Sequence, residues 1–180
     1  MKKPQRIAVA GGSGVGKTTL CQQLEGILGY PRVELDSLYH GEQWTPRPSF
    51  LPELSEFIAG EQWICEYQYP QARPLIAARA DTLLWLDFQT SVQMRRLTQR
   101  TLFRSVSKKL LWNNNIEPPL WTIFKDPDHI LRWAWQSRKD LKRTLPDVQK
   151  ENPQLQIVRF KSPRELKKWT ANLALAGVDE

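Results

Sequence analysis

The chain has 180 residues, 41% of them apolar and 25% charged, which is the size and composition of one globular domain of roughly 100–200 residues. A net charge of +7 suits an anionic partner such as a nucleotide, a nucleic acid or an acidic membrane, but it does not distinguish between them. No stretch approaches the roughly 18 apolar residues of a membrane span, and the first apolar run ends at Gly11, too early for a signal peptide. We therefore expect one cytoplasmic domain over residues 1–180, with two reduced cysteines and no membrane partner.

Short apolar runs alternate with helical patterns along the whole chain. Residues 7–10 form an uninterrupted apolar run that stops at glycines, as in a strand buried on both faces of a parallel sheet. Residues 17–28 follow with apolar positions at helical spacing and end before Gly29. The further predicted strands are 33–36, 63–66, 82–87 and 155–160, and the further predicted helices are 50–59, 75–80, 91–104, 128–150 and 163–176. This order predicts a three-layer α/β domain around a five-stranded parallel sheet.

The segment between residues 104 and 128 departs from this alternation. It contains three consecutive asparagines and two consecutive prolines, which predicts a flap rather than a packed element. Five of the eight tryptophans lie between residues 85 and 135. Their rings could stack on nucleic-acid bases beside basic residues, but burial in the core is the favoured use of so much apolar area.

A phosphate-binding motif lies between the first strand and the first helix. Residues 11–18 satisfy G-x-x-x-x-G-K-[ST] without a mismatch. Glycine permits the positive φ angles and the close approach that let consecutive N–H groups surround a triphosphate, and the helix N-terminus adds partial positive charge. Lys17 would bridge the β- and γ-phosphates, and the Thr18 hydroxyl would ligate Mg²⁺. The residues predicted to bind ATP are Gly11, Gly12, Ser13, Gly14, Val15, Gly16, Lys17, Thr18 and Thr19, whose hydroxyl is the spare one.

Three acids end predicted strands, namely Asp36, Glu66 and Asp87, and so lie at the sheet edge that carries this loop. A phosphate-loop enzyme needs one acid to hold magnesium, and a phosphotransferase also benefits from an acid near the acceptor hydroxyl. We assign Glu66 to the metal and Asp36 to the acceptor. Asp87 ranks third, since aspartate is a favoured cap for the helix that follows. A turn role for Asp36 and a paired surface role for Glu66 stay open.

Three arginines form a stripe on the predicted helix 91–104. Arg96, Arg100 and Arg104 recur every four residues, so their like charges repel one another on one face. A bound phosphate would relieve that repulsion, and phosphate matches the guanidinium fork best. Arg96 and Arg100 are therefore candidate catalytic residues, with a solvated basic face or a nucleic-acid patch as the alternative.

Arg138 falls within the apolar stripe of the predicted helix 128–150, where an arginine needs an anion. It either pairs with an acid such as Asp87 or Glu66, or it meets the transferring phosphate in the cleft. His40 lies in a predicted loop with nothing around it that suggests a triad or a metal site. We interpret this histidine, like the second one in the chain, as a bystander.

With these residues in place, the chain resembles the DNA topology modulation proteins, P-loop proteins related to adenylate kinase and the small nucleoside and shikimate kinases. The matching stretches are 7–19, 34–39 with Trp44, 80–87, and 131–135 with Arg138. That family usually has Asp-Gly-Asn-Tyr at the end of its third strand, where this chain has Glu66, Tyr67, Gln68 and Tyr69. Glutamate still holds a hydrated metal, whereas Tyr67 in place of glycine fills space where an acceptor would approach.

The resemblance implies an adenylate-kinase-like core with sheet order 2-3-1-4-5. It also implies a small acceptor arm at about 37–60, after the second strand, and a helical lid at about 103–127, between the fourth and fifth strands. The site residues it implies are Asp36 toward the acceptor, Arg96, Arg100 and Arg138 in or beside the lid, and the loop 161–163 toward adenine.

The leading hypothesis is a kinase that uses ATP and Mg²⁺ and moves the γ-phosphate to a small-molecule or nucleotide acceptor. One alternative is an ATP-binding regulator of DNA topology that contacts DNA through a basic surface. Another is an NTP hydrolase or sensor without an acceptor. We prefer the kinase because the chain has no nucleic-acid-binding signature and a charge of +7 serves an ATP-binding protein equally well.

Overall fold

The computed structural model describes residues 3–88 and 127–176, except for the side chains of 127–138 and of residue 176. Within these ranges lies one parallel sheet in the order β2-β3-β1-β4-β5. Its strands are β1 (Arg6–Gly11), β2 (Arg32–Val33), β3 (Trp63–Glu66), β4 (Thr82–Leu86) and β5 (Gln156–Phe160). The prediction of a five-stranded parallel sheet in the order 2-3-1-4-5 is confirmed.

Helices cover both faces of this sheet. The described helices are α1 (Lys17–Leu28), α2 (Leu35–Tyr39), α3 (Phe50–Ile58), α4 (Arg73–Arg79), α5 (Pro127–Glu151) and α6 (Pro163–Ala176), with a short 3-10 turn at Glu42–Trp44. One face carries α1 and α6, and the alternate β1 residues Ile7 and Val9 belong to the apolar cluster there. The other face carries α2, α3, α4 and α5, and Ala8 and Ala10 belong to its cluster. The arrangement is the predicted three-layer α/β fold.

Strand β1 lies at the centre of the sheet. Its residues 7–10 are completely buried, as a strand covered by helices on both faces requires. The register places Gly11 beside Leu86 of β4 and Val9 beside Glu66 of β3. Because parallel strands end at the same edge of a sheet, the start of the phosphate loop and the Glu66 carboxylate meet there.

Local signals define the ends of α1 and α6. α1 ends at Gly29, whose φ is 71° and whose N–H donates to the Glu25 carbonyl at 2.9 Å. At the start of α6, Ser162 Oγ accepts from the Glu165 N–H at 3.3 Å, and the Glu165 carboxylate accepts from the N–H of Lys161, the residue before Ser162, at 2.9 Å. The predicted helix 17–28 is therefore confirmed at both ends, and the predicted helix 163–176 at its beginning.

The predicted strand 33–36 is wrong except at Val33, because β2 ends there. β2 is an edge strand that pairs with β3 over only two residues, and α2 begins at Leu35. The N–H and the hydroxyl of Ser37 both donate to the Glu34 carbonyl, at 3.0 and 2.6 Å, and close a turn that starts the helix. Asp36 therefore lies in the first turn of a short helix and not at the end of a strand.

The other described elements agree with the predictions. α3 and α4 match the predicted 50–59 and 75–80 to within two residues at each end, and α5 ends one residue after the predicted 128–150. The predicted helix 91–104, with Arg96 and Arg100, and all but the last residue of the predicted lid lie outside the described residues. The boundaries of the arm, the lid and the single domain therefore stay predictions.

Two tryptophans fill the core on the face that carries α5. Trp63 and Trp85 are buried there, which is the use favoured for Trp85 from the sequence. The side chains of the other four tryptophans between residues 85 and 135 lie outside the described part of the structure. Both cysteines are free, as expected, and both are buried. Within the described residues, no helix has the length and apolarity that crossing a membrane requires.

Candidate functional site

The loop between β1 and α1 turns on glycines. Gly14 and Gly16 have φ angles of 73° and 105°, in the left-handed region that favours glycine. Gly16 immediately precedes Lys17, the first residue of α1. Val15 between the two glycines is buried and packs into the cluster under α1 and α6. The loop is thus anchored at its middle and turns tightly at the sheet edge instead of running extended.

Lys17 and Thr18 begin α1, and both contact Glu66 at the end of β3. Thr18 Oγ1 donates a hydrogen bond of 2.6 Å to Glu66 Oε1, and Lys17 Nζ lies 3.8 Å from Glu66 Oε2. Lys17 Nζ also donates to the Gly12 carbonyl at 3.5 Å, which closes the loop. Glu66 is only 6% exposed, so the nearby ammonium group compensates a carboxylate that water hardly reaches.

The oxygens of Thr18 and Glu66 fit the preferences of Mg²⁺. This ion takes hard oxygen ligands and in phosphate sites is held by one or two side chains together with substrate oxygens and water. A hydroxyl and a carboxylate oxygen 2.6 Å apart, next to a loop of backbone N–H groups, form such a donor set. The structure therefore brings together the two residues predicted to hold the metal.

Asp36 is held next to the end of β3 by two residues that come shortly after this strand in the chain. Gln68 Nε2 and Tyr69 Oη donate to Asp36 Oδ1 at 2.8 and 2.6 Å. Both donors come shortly after Glu66 in the chain. One short segment therefore joins the acid that contacts the phosphate loop to the acid that directly precedes the predicted arm.

An aromatic cluster surrounds the contact between Asp36 and Tyr69. The Tyr39 ring stacks on Tyr69 with centroids 4.2 Å apart, and His40 Nε2 lies 3.2 Å from Tyr69 Oη. The His40 ring meets Trp44 edge-on at 5.1 Å. His40, interpreted from the sequence as a bystander, thus contacts the group that binds Asp36. Its partner is 29 residues away in the chain, so no local pattern indicates the contact.

Asp87 is a buried acid with two cationic partners. Arg159 of β5 donates to Asp87 Oδ2 through Nε at 3.0 Å and through Nη2, and Lys142 Nζ of α5 lies 3.7 Å from the same oxygen. The Arg159 guanidinium also lies 4.5 Å from the centre of the Trp85 ring. Sequence reasoning missed Arg159, because this contact depends on the register of β5 against β4.

Arg138 belongs to the described backbone of α5, one helical turn before Lys142. It therefore shares the stripe of α5 from which Lys142 reaches Asp87. The side chain of Arg138 lies outside the described part of the structure. Both predicted roles, pairing with an acid or meeting the transferring phosphate in the cleft, therefore stay predictions.

Tyr67 is packed in the core. It is 3% exposed and belongs to the apolar cluster under α3, α4 and α5, and the Arg73 guanidinium lies 5.6 Å from the centre of its ring. Burial raises the pKa of its phenol. The side chain thus occupies space at the end of β3 as a core residue.

Comparison with known proteins identifies the fold. No protein-family model and no curated protein matches the chain. A gluconokinase from Sinorhizobium meliloti 1021 is 19% identical over 99% of this chain and 94% of its own, with a TM-score of 0.56. Shikimate kinase from Acinetobacter baumannii, solved in complex with shikimate, is 15% identical over 96% and 93% of the two chains, with a TM-score of 0.53. Shikimate kinase from Bacteroides thetaiotaomicron is 19% identical over 94% and 96%, with a TM-score of 0.54.

These likenesses establish that the chain has the α/β fold of P-loop kinases, with the same parallel sheet. None of the three structures is a DNA topology modulation protein. The resemblance to that family therefore stays an interpretation of the residues quoted above.

Proposed function

We propose that this protein is a phosphotransferase that uses ATP and Mg²⁺ and moves the γ-phosphate to a hydroxyl of a small-molecule or nucleotide acceptor. The observation that carries the proposal is the segment from Glu66 to Tyr69. Its first residue contacts the phosphate loop, and its last two residues hold Asp36. One strand end thus brings a donor-side acid and an acceptor-side acid to the same edge of the sheet.

On the donor side, the backbone N–H groups of residues 11–18 surround the phosphates, and Lys17 binds the β- and γ-phosphates. Lys17 now lies 3.8 Å from Glu66 and would exchange that contact for phosphate oxygens. Thr18 and Glu66 would hold Mg²⁺, which supplies charge neutralisation at the phosphate oxygens when it is bound. Thr19 is exposed, consistent with its hydroxyl being the spare one.

On the acceptor side, Asp36 acts as the general base. Its Oδ2 accepts the proton of the acceptor hydroxyl as the hydroxyl oxygen forms a bond to the γ-phosphorus. The bond between the γ-phosphorus and the β–γ bridging oxygen breaks, and ADP leaves. The products are ADP and the phosphorylated acceptor, with the transferred proton on Asp36.

The lid supplies positive charge in this proposal. Arg96, Arg100 and Arg138 neutralise the negative charge that the migrating phosphoryl group carries between donor and acceptor. The stripe that Arg138 shares with Lys142 supports its place, since Lys142 reaches an acid at the end of β4. Arg96 and Arg100 enter the proposal through their spacing in the sequence alone.

The names of the structural neighbours agree with this chemistry, because gluconokinase and shikimate kinase are small-molecule kinases. Identities of 15% and 19% support the fold and leave the acceptor undetermined. We therefore take only the reaction class from these neighbours, and neither gluconate nor shikimate is proposed as the substrate.

Phosphorylation of acceptors tests the proposal. The full chain is incubated with ATP, Mg²⁺ and a panel of sugars, sugar acids, nucleosides and nucleotides, and ADP and phosphorylated acceptor are measured by mass spectrometry. We expect ADP and one phosphorylated acceptor in equal amounts. Asp36→Asn should lower transfer by about 10²–10⁴-fold, with ATP affinity unchanged, because it removes the base but keeps the side-chain volume.

Glu56→Gln is the matched control, since Glu56 is an exposed acid on α3, within the predicted arm that follows Asp36. ADP and free phosphate with every acceptor would favour the NTP hydrolase or sensor instead. Absence of ADP under all conditions would contradict both enzymatic hypotheses.

One observation favours the DNA-binding alternative. Residues 139–176 contain nine Lys or Arg and four Asp or Glu. Residues 3–88 contain seven Lys or Arg and ten Asp or Glu. This basic part of the chain lies on both faces of the sheet, because α5 and α6 belong to opposite layers, and it would bind DNA with an affinity that falls steeply with salt. That affinity should decrease when Arg96, Arg100, Arg104, Lys108 and Lys109 are neutralised. The phosphotransferase proposal predicts no such DNA affinity at physiological salt.

A further inference from the structure

A chain of hydrogen bonds joins the arm to the segment after β3. His40 Nε2 lies 3.2 Å from Tyr69 Oη, and Tyr69 Oη lies 2.6 Å from Asp36 Oδ1. Gln68 Nε2 donates to the same Asp36 oxygen at 2.8 Å. Asp36 Oδ1 thus receives two hydrogen bonds, whereas Oδ2 receives none from the residues that the structure describes. The carboxylate is held by one oxygen and leaves the other available.

The direction of each hydrogen bond follows from the protons that the groups carry. An ionised carboxylate only accepts and a phenol has a single O–H, so Tyr69 donates to Asp36. The Tyr69 oxygen then accepts from His40, which places the imidazole proton on Nε2. Burial, followed by the hydrogen bond to Asp36, raises the pKa of the Tyr69 phenol, so the phenol remains a donor at physiological pH.

The backbone and the ring of Tyr69 are also fixed. Its φ angle of 57° lies in the left-handed region, which few residues other than glycine adopt. The ring is held by Tyr39 and Phe50, with centroid distances of 4.2 and 5.4 Å. The Tyr69 carbonyl accepts from the N–H groups of Ala72 and Arg73 at 3.0 and 3.1 Å. Such conformations persist where the surroundings fix them, and they concentrate at functional sites.

We propose that Tyr69 is a positioning residue for phosphoryl transfer, whose hydroxyl orients Asp36 so that Oδ2 faces the acceptor hydroxyl. Gln68 supports the same carboxylate oxygen, and His40 supports the Tyr69 hydroxyl. This inference rests on the proposed function, because it acts through the base assigned there. Without the Tyr69 hydroxyl the carboxylate rotates more freely and is correctly oriented for less of the time, so kcat falls while ATP binds as before.

The test compares Tyr69→Phe with Tyr30→Phe in steady-state transfer to the acceptor found in the panel. Both variants keep an aromatic ring, but Tyr69 uses its hydroxyl in a hydrogen bond to Asp36, whereas Tyr30 is buried in the cluster under α1 and α6, on the other face of the sheet. For Tyr69→Phe we expect kcat to fall about 10- to 100-fold, as for a misplaced catalytic group, with the KM for ATP unchanged. Tyr30→Phe should keep the kcat of the wild type.

The outcomes separate this inference from the proposed function. If the wild type transfers phosphate to an acceptor and Tyr69→Phe has the same kcat, the inference alone is overturned. If the wild type transfers phosphate to none of the acceptors, the proposed function is overturned, and this inference with it. Thermal unfolding midpoints are measured for both variants, because a lowered midpoint with unchanged kcat would assign the Tyr69 hydroxyl a structural role only. His40→Phe keeps a ring and removes the donor to Tyr69, so it should lower kcat in the same direction by a smaller factor.

Discussion

Gly11 determines how closely the phosphate loop packs against the sheet. A Cβ at this position would lie 2.7 Å from Val15 Cγ1 and 3.2 Å from both Cβ and O of Leu86. Gly11→Ala must therefore displace the loop, and we expect about 1–3 kcal/mol lower stability together with weaker ATP binding. Denaturant unfolding and ATP titration measure the two effects.

Gly26→Ala is the matched control for this prediction. Gly26 lies inside α1, and a Cβ there would meet nothing within 4 Å. The substitution should raise stability by roughly 0.5–1 kcal/mol, because alanine loses less conformational freedom in a helix than glycine. ATP affinity like that of the wild type in Gly11→Ala would show that the loop does not depend on this packing.

The two thiols give a prediction on pH. Burial raises the pKa of both Cys21 and Cys65 in the folded protein. Their contribution to stability is complete below the pKa of an unfolded thiol, about 8.5, and is lost progressively as the pH rises above it. We expect the free energy of unfolding to decrease between pH 8.5 and 10. Native protein at pH 8 should resist alkylation by iodoacetamide, and rapid labelling without unfolding would contradict the burial of both thiols.

Individual residues differ in how far the sequence could predict them. Lys17 and Thr18 lie in a continuous motif, so their place at the start of α1 was predictable. Asp36 lies near the end of β3, at the sheet edge where it was expected, but its helix was not predicted, because a turn at Ser37 competes with a weakly paired edge strand. Its contact with Tyr69 spans 33 residues and depends on the tertiary fold.

At the scale of elements, one cluster ties β4, β5 and α5 together. Asp87 is 3% exposed as a side chain and binds Arg159 and Lys142. Arg159→Ala should cost about 2 kcal/mol, less than for a fully buried pair because Arg159 is 42% exposed and Lys142 remains. Arg143→Ala on α5 is the control, since its side chain is 81% exposed and should change stability by no more than about 0.5 kcal/mol. Equal stabilities of the two variants would contradict a role of this cluster in holding α5.

The elements themselves were largely predictable, and their contacts were not. Local sequence patterns indicate the buried strands β1, β3 and β4, the end of α1 and the start of α6. The predicted positions of these elements therefore agree with the structure. The contact of Asp87 with Arg159 crosses 72 residues and requires the register of two parallel strands. Sequence patterns indicate which residues form strands, but they say little about the register between strands that are distant in the chain.

At the scale of the whole molecule, two buried acids at one sheet edge have different surroundings. Glu66 faces the start of α1, where Thr18 and Lys17 contact it, and in the proposed function phosphate oxygens replace Glu66 as the partner of Lys17. Asp87 faces the opposite layer, where Arg159 holds it through two nitrogens. This difference supports Glu66 over Asp87 as the acid on the nucleotide side. The same strand end holds Asp36 through Gln68, so the proposed donor and acceptor sites adjoin.

Calorimetric titration of ATP with Mg²⁺ into the wild type and into Lys17→Ala tests the central claim, that the loop after β1 binds a triphosphate. Lys168→Ala is the control, because Lys168 is an exposed lysine on α6. Charge-assisted hydrogen bonds contribute about 1.5–3 kcal/mol each, so losing two to the β- and γ-phosphates should weaken binding about 100-fold or more. The account predicts that loss in Lys17→Ala alone, with both variants folded by circular dichroism. Equal ATP affinity in Lys17→Ala and the wild type would contradict it.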